Sequence, residues 1–246
     1  MAGENGLAGR VIALTGAGGG LGVLIAATLL QRGALVAANH RSPSTGLLKL
    51  QEKHPDALHL VAGDIGCEET AEKLIAVARA LGKLDVLILN AAITRDQPLV
   101  RMPVEDWDEV LRVNLRGAFL VTKQALRVMM RHRYGRLIYL SSLSALIGNA
   151  GQAGYAASKA ALHGLSHTVA QEYASYNIRS VVLAPGLLDI GLGAGLDPAV
   201  KRRKAARSLL GIGNGDSVAA TVAFLAGPDA DFINGSVIRS DGGIAY

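Results

Sequence analysis

Apolar positions along this chain fall into two alternating patterns. Short uninterrupted runs rich in Val, Ile, Leu and Ala recur at 10–14, 35–38, 58–62, 86–89, 136–140, 178–183 and 236–238. Longer stretches with helical spacing lie between most of them, at 21–31, 68–81, 107–131, 155–176 and 216–226. A short run without polar alternation reads as a strand buried on both faces, and such strands separated by helices pair in parallel. Right-handed crossovers then predict one α/β domain over residues 1–246. It is a Rossmann-type, doubly wound parallel sheet of about seven strands with helices on both faces. Residues 189–214 fit neither pattern. They carry Lys201, Arg202, Arg203, Lys204 and Arg207 between glycine-rich ends, and read as a mobile lid with one or two short helices.

Residues 11–31 hold no charge and are long enough to span a bilayer. Five glycines and two threonines break the run, which divides into strand, loop and helix, so no membrane association is expected. Met1 to Arg10 contains Glu4 and no apolar run, and does not read as a signal peptide. Half of the residues are hydrophobic and 18% are charged, which suffices for a large core and excludes a disordered chain. A single cysteine, Cys67, excludes a disulfide scaffold and a zinc cluster and points to a reducing compartment, the cytoplasm. The net charge of +5 favours acidic partners without identifying one. The 30 glycines, against 4% aromatic residues, suggest close backbone packing and a loop that cradles a ligand.

That loop follows the first strand: Thr15-Gly16-Ala17-Gly18-Gly19-Gly20-Leu21-Gly22 leads straight into a helical pattern. Glycines let the backbone approach a pyrophosphate, and the helix start presents unpaired N–H groups to it. The strand–loop–helix setting in the first βα unit is where a dinucleotide fold places such a loop. An acid that would hold the ribose hydroxyls of NAD is expected near residue 40. The chain has Asn39-His40-Arg41-Ser42 there, and no acid at all between Glu4 and Glu52. A guanidinium can bind a ribose 2′-phosphate in bidentate fashion, so Arg41, assisted by His40 or Ser42, selects NADP(H). Asp64, after the third strand, either accepts from the adenine amino group or caps the following helix. Asn90-Ala91-Ala92 follows the fourth strand with side chains small enough for the backbone to pass under the adenosine half.

Tyr155 and Lys159 stand four apart in a helical segment and share one face. Tyrosine is a poor acid–base group at neutral pH, and a nearby ammonium lowers its pKa. Ser142 ends the fifth strand, at the carboxyl edge where doubly wound sheets bind ligands. Asn114 lies in the helical stretch between strands four and five.

Taken in order, these residues resemble a known family. The glycine loop at 15–22, Asn90-Ala91-Ala92, Asn114, Ser142 with Tyr155 thirteen residues on, Lys159, Pro185-Gly186 and Asp241-Gly242-Gly243 match the short-chain dehydrogenases/reductases over the whole length. Within them the chain is most similar to the beta-ketoacyl-acyl-carrier-protein reductases, on Ile93-Thr94-Arg95-Asp96, the run from Gln152 to Lys159, and the run from Val222 to Ala226. The resemblance implies a tetrad. Tyr155 gives a proton to the substrate carbonyl, Ser142 polarises it, Lys159 binds the nicotinamide ribose and lowers the Tyr155 pKa, and Asn114 holds a water leading to solvent. It also implies cofactor contacts at Gly16, Gly18, Gly19, Gly20, Leu21 and Gly22, at Ile65 beside Asp64, and at Pro185, Gly186 and Leu188. It implies a homotetramer built through helices with small residues, as over 156–170.

Three positions depart from the family pattern: Ala92 for a glycine, Ile190 for a threonine that contacts the nicotinamide carboxamide, and no basic residue at Gly18 or Gly19. The implied activity is NADPH-dependent reduction of a 3-oxoacyl thioester on acyl carrier protein, in fatty acid or polyketide synthesis. Alternatives are reduction of a polyketide, steroid-like or small cyclic ketone, oxidation of an alcohol, or a non-catalytic partner subunit of the same fold. Tyr155 and Lys159 argue against a nucleic-acid binder, for which two basic clusters would be the support. An acidic carrier is expected at Arg133, with the lid cations as the lesser contributor. His163 and His167 resemble a metal pair but lack a third ligand, and no metal is expected. Trp107 reads as core.

Overall fold

The computed structural model describes residues 6–244, so the first part of the 1–10 stretch lies outside the described residues. Seven strands form one parallel sheet: β1 (Val11–Leu14), β2 (Leu35–His40), β3 (Leu58–Ala62), β4 (Leu84–Leu89), β5 (Gly135–Leu140), β6 (Ile178–Pro185) and β7 (Ser236–Ser240). Their order is β3-β2-β1-β4-β5-β6-β7, and each neighbouring pair runs parallel. The order reverses between β1 and β4, and doubly wound sheets bind ligands at the carboxyl end of such a switch point.

The helices are α1 (Gly20–Gln31), α2 (Thr45–Lys53), α3 (Glu68–Leu81), α4 (Val104–Leu111), α5 (Gly117–His132), α6 (Ser144–Ile147), α7 (Ala153–Tyr173), α8 (Pro198–Ala205) and α9 (Gly215–Ala226). Alternation along the strands splits the core into two layers. Ile12 and Leu14 of β1 face one side with Ile25 and Leu29 of α1 and Val222 of α9. Val11 and Ala13 face the other with Leu74 of α3, Val121 of α5 and Leu162 of α7. Both faces are therefore covered, which is what strands without polar alternation require.

One difference from the expected elements bears on the site. The stretch 107–131 is not one helix: α4 and α5 are joined by a π turn at Arg112–Arg116 that contains Asn114. The lid contains one α-helix, α8, and a 3-10 turn at Gly191–Gly193. Asp197 starts α8 by accepting from the N–H groups of Ala199 (2.8 Å) and Val200 (3.2 Å), with Pro198 in the first turn. The segment is pinned where it returns to the body. Gly213 N–H donates to the Leu187 carbonyl at 2.8 Å, and the Ser208 hydroxyl bonds the Asp241 and Gly242 carbonyls, each at 3.0 Å.

Candidate active site

A cleft of about 540 Å³ runs along the carboxyl ends of the strands. One end is walled by the loop after β1 and by His40, Arg41, Ser42, Asp64 and Ile65. The other holds Ser142, Tyr155 and Lys159, and Ile190, Leu192, Leu196, Lys204 and Arg207 of the lid segment line the same cleft. All the expected cofactor contacts line this one cleft. The exception among the expected site residues is Asn114, which lies behind the wall.

The glycine loop is held by a clasp that the sequence does not announce. The buried Thr15 hydroxyl accepts from the N–H groups of Asn90 and Ala91, both at 3.0 Å. The Asn90 amide in turn donates to the carbonyls of Thr15 (3.2 Å) and Gly16 (3.0 Å). Asn90 thus ties the end of β4 to the loop after β1. At the same loop a Cβ on Gly18 would lie 2.6 Å from the Ser42 carbonyl oxygen. That contact explains why no basic side chain stands at Gly18: the backbone after β2 occupies its place. The uncapped start of α1, without an acidic residue in its first turn, leaves its N–H groups for an anion. Backbone cradle, anion site and cleft length fit a dinucleotide.

At the end of β2, Asn39 is buried and its amide donates to the carbonyls of Val61 (3.2 Å) and Gly63 (3.0 Å). His40 is buried as well, and burial lowers its pKa, which leaves it neutral. Arg41 is the exposed cation at this end. Asp64 neither awaits adenine freely nor caps α3. Its carboxylate accepts from the Gly66 N–H at 2.9 Å and pairs with Arg112 at 2.5 Å, while Arg112 also grips Glu109 at 2.6 Å. Burial opposes the charge on Asp64, but the Arg112 hydrogen bond and the Gly66 N–H hold its pKa below the usual range. Arg112 was not foreseeable from spacing, because its partner lies 48 residues away.

At the other end, Tyr155 and Ser142 line the cleft together. Burial pushes the phenol up to about 12, against a downward pull from the Ser142 hydroxyl. The expected lowering by Lys159 is therefore not the direction in this geometry. The Lys159 ammonium lies 5.9 Å from the Tyr155 ring centre and donates to the Leu140 carbonyl at 2.6 Å. Its own burial depresses its pKa to about 7. The Ser141 hydroxyl donates to the Lys159 carbonyl at 3.0 Å and meets His163 Nε2 at 2.8 Å. The hydroxyl has one proton, so His163 must carry its own on Nε2. His163 is thus a support for the Lys159 turn rather than half of a metal pair.

Both amide hydrogens of the buried Asn114 are engaged, on the Ile93 carbonyl (2.9 Å) and the Ser158 hydroxyl (3.0 Å). Its Oδ1 accepts from the Ile93 N–H at 2.8 Å. The side chain braces the loop after β4 against α7, directly before Lys159. Ile190 lines the cleft and packs its end between Leu24 and Gly215. Trp107 is half-buried against the first turn of α7 at Gly154 and is absent from the cleft wall.

The basic residues fall differently from the expectation. Arg133 ends α5 before β5 begins, donates to the Ser175 carbonyl at 2.7 Å and lies over the Tyr176 ring. Ser142 follows the other end of this six-residue strand, ~20 Å away by strand rise. Arg133 is therefore at the edge of the sheet opposite the cleft. Arg136 is buried and paired with Asp231. Lys204 and Arg207 of the lid line the cleft instead.

A family profile described as "Enoyl-(Acyl carrier protein) reductase" matches residues 16–245. The 3-oxoacyl-[acyl-carrier-protein] reductase FabG of Thermotoga maritima is 36% identical over 242 residues, 97% of this chain and 98% of the relative. The chain belongs to the short-chain dehydrogenase/reductase family. Nodulation protein G of a Rhizobium species is 37% identical, with 97% of this chain and 98% of the relative covered. FabG of Escherichia coli is 35% identical, with 96% and 97% covered. As a member of this family the protein is a nicotinamide-dependent oxidoreductase. No helix among the described residues is long and apolar enough to cross a membrane.

The buried lysine makes stability depend on pH. Lys159 binds its proton with a pKa near 10.5 when unfolded and about 7 when folded, so between these values the unfolded state holds more protons. Stability then rises with pH across that window, by at most ~1.4 kcal/mol per pH unit for one proton. Urea midpoints measured from pH 7.5 to 9.5 should increase, and Lys159→Met should flatten the slope. A wild-type midpoint independent of pH would contradict a buried lysine of depressed pKa.

Proposed function

We propose that the protein is a cytoplasmic NADPH-dependent ketoreductase that converts a 3-oxoacyl thioester on acyl carrier protein to the hydroxyacyl product. The observation that carries this is that Tyr155, Ser142 and the buried Lys159 line the same cleft as the glycine loop. Two hydroxyls at one point suit a carbonyl oxygen, which accepts two hydrogen bonds as negative charge develops on it. The names of the FabG relatives point the same way.

When bound, the nicotinamide supplies the hydride; the chain supplies position and the proton. Ser142 Oγ and Tyr155 Oη hold the carbonyl oxygen. A phenol held near 12 keeps its proton at neutral pH and releases it to an oxygen that becomes far more basic during reduction. Lys159 Nζ, bonded to Leu140, is positioned for the nicotinamide ribose and, with a pKa about 7, for returning a proton toward Tyr155. Catalysis is assigned to one domain with a lid at 189–214. A homotetramer is in keeping with the exposed Phe119 on α5, beside a groove lined by Leu111, Leu115 and Leu165.

NADP(H) selection rests on Arg41, the cation beside the cleft where no acid stands. Arg41→Asp should reverse or erase the preference for NADPH over NADH, read as the ratio of kcat/KM values with one ketone. Equal use of both cofactors by the wild type would remove Arg41 from this role.

A further inference from the structure

Around Ser142 and Tyr155 the cleft has an apolar wall, with Leu143, Ile147, Leu187, Leu192 and Leu196, and a polar one with Asp96, Asn149 and Gln152. Two lid cations line the same space: Lys204 in the last turn of α8, and Arg207 just beyond it. Among the described residues neither side chain has a hydrogen-bond or ion-pair partner. The neighbouring Lys201, in contrast, is paired with Asp189. Lys204 is half-buried, and burial, with Arg203 and Arg207 nearby, lowers its pKa against the opposing pull of Asp96. Asp96 is the acid on the facing wall, and it is already engaged by Gln152 at 2.8 Å and by the Thr94 hydroxyl. A half-buried ammonium without a partner, next to a guanidinium and facing an occupied carboxylate, is a place where a ligand anion lowers the energy.

We propose that Lys204 and Arg207 form an anion subsite in the lid, which binds a carboxylate or phosphate carried by the ketone substrate. This rests on the reading of Tyr155 and Ser142 as the carbonyl site, and it narrows the substrate class to ketones with an apolar body and an anionic end. Lid and anion act on each other. The anion neutralises the two like charges that repel across the last turn of α8, so substrate holds the lid against the cleft. A phosphate on the carrier side of a thioester and a carboxylate at the far end of the acyl chain present the same chemistry to these side chains.

Two pairs of ketones separate the sources. Acetoacetyl-CoA against acetoacetyl-N-acetylcysteamine varies the phosphate. Monoethyl 3-oxoadipate against ethyl 3-oxohexanoate varies a terminal carboxylate. For each pair the quantity is the charged-to-neutral ratio of kcat/KM, in wild type and in Lys204→Met/Arg207→Met. The ratio should fall about tenfold in at least one pair, mainly through KM, since the double variant loses both charge-assisted contacts to the anion. Loss in the first pair identifies a phosphate, loss in the second a carboxylate. Lys204→Arg, which keeps the charge, should hold the ratio near the wild-type value. An unchanged ratio in both pairs overturns the subsite while leaving the ketoreductase reading intact. A wild type that oxidises NADPH with none of the four ketones overturns that reading instead. The subsite is then decided by calorimetric binding of the same two pairs, where no difference between wild type and the double variant would refute it.

Discussion

Tyr155→Phe is expected to lower kcat for ketone reduction by ~10²–10⁴-fold, the usual worth of a positioned general acid. The substitution keeps the ring and removes only the hydroxyl that shares the cleft with Ser142. The bond from Lys159 to the Leu140 carbonyl does not involve that hydroxyl, so the ribose-side geometry is preserved. NADPH affinity, followed by fluorescence titration, should stay within a few-fold of wild type, which separates a chemical defect from a binding defect. Retention of wild-type turnover by this variant would refute the proton-donor role outright.

Gly22→Ala should act on the opposite quantity. A Cβ there would overlap the Gly16 carbonyl oxygen and stand 2.8 Å from the Ala17 Cα. The same Gly16 carbonyl accepts from the Asn90 amide, so any shift that makes room for the methyl loosens the clasp between β1 and β4. Overpacking of this kind costs ~1–3 kcal/mol. We expect a lower Tm and an NADPH affinity weaker by on the order of 10–100-fold, at 1.4 kcal/mol per factor of ten. Unchanged NADPH affinity would mean that the loop does not cradle the cofactor.

The strands are legible in the sequence because each is an apolar run without a polar face, and that property survives any detail of packing. The helix α2 is not legible in the same way: of its nine residues only Leu47 is buried, so it leaves almost no periodic trace. The π turn is hidden for a different reason. Its residues are helical in type, and one added residue does not disturb the apolar spacing enough to be seen. Tyr155, Ser142 and Lys159 are legible through their order and spacing. The supports behind them are not, since Thr15 with Asn90, Arg112 with Asp64 and Ser141 with His163 meet across 75, 48 and 22 residues. Arg133 shows where sequence distance misleads. It lies nine positions from Ser142, but a strand separates them and carries the two to opposite edges of the sheet.

The π turn at Arg112–Arg116 also sets a rule for how this chain can change. A π turn takes up one residue more than the α turn it replaces and leaves the helical stretches on either side in phase. Deleting a single residue there would therefore close the turn into regular α-helix. Val121, Ala125 and Met129 of α5 could still face the sheet, but the widening from which Asn114 meets Ile93 and Ser158 would be lost. Substitutions in this stretch change one contact at a time. A change in length removes the turn itself, so the number of residues between Val110 and Val121 is as much a part of the site as any side chain in it.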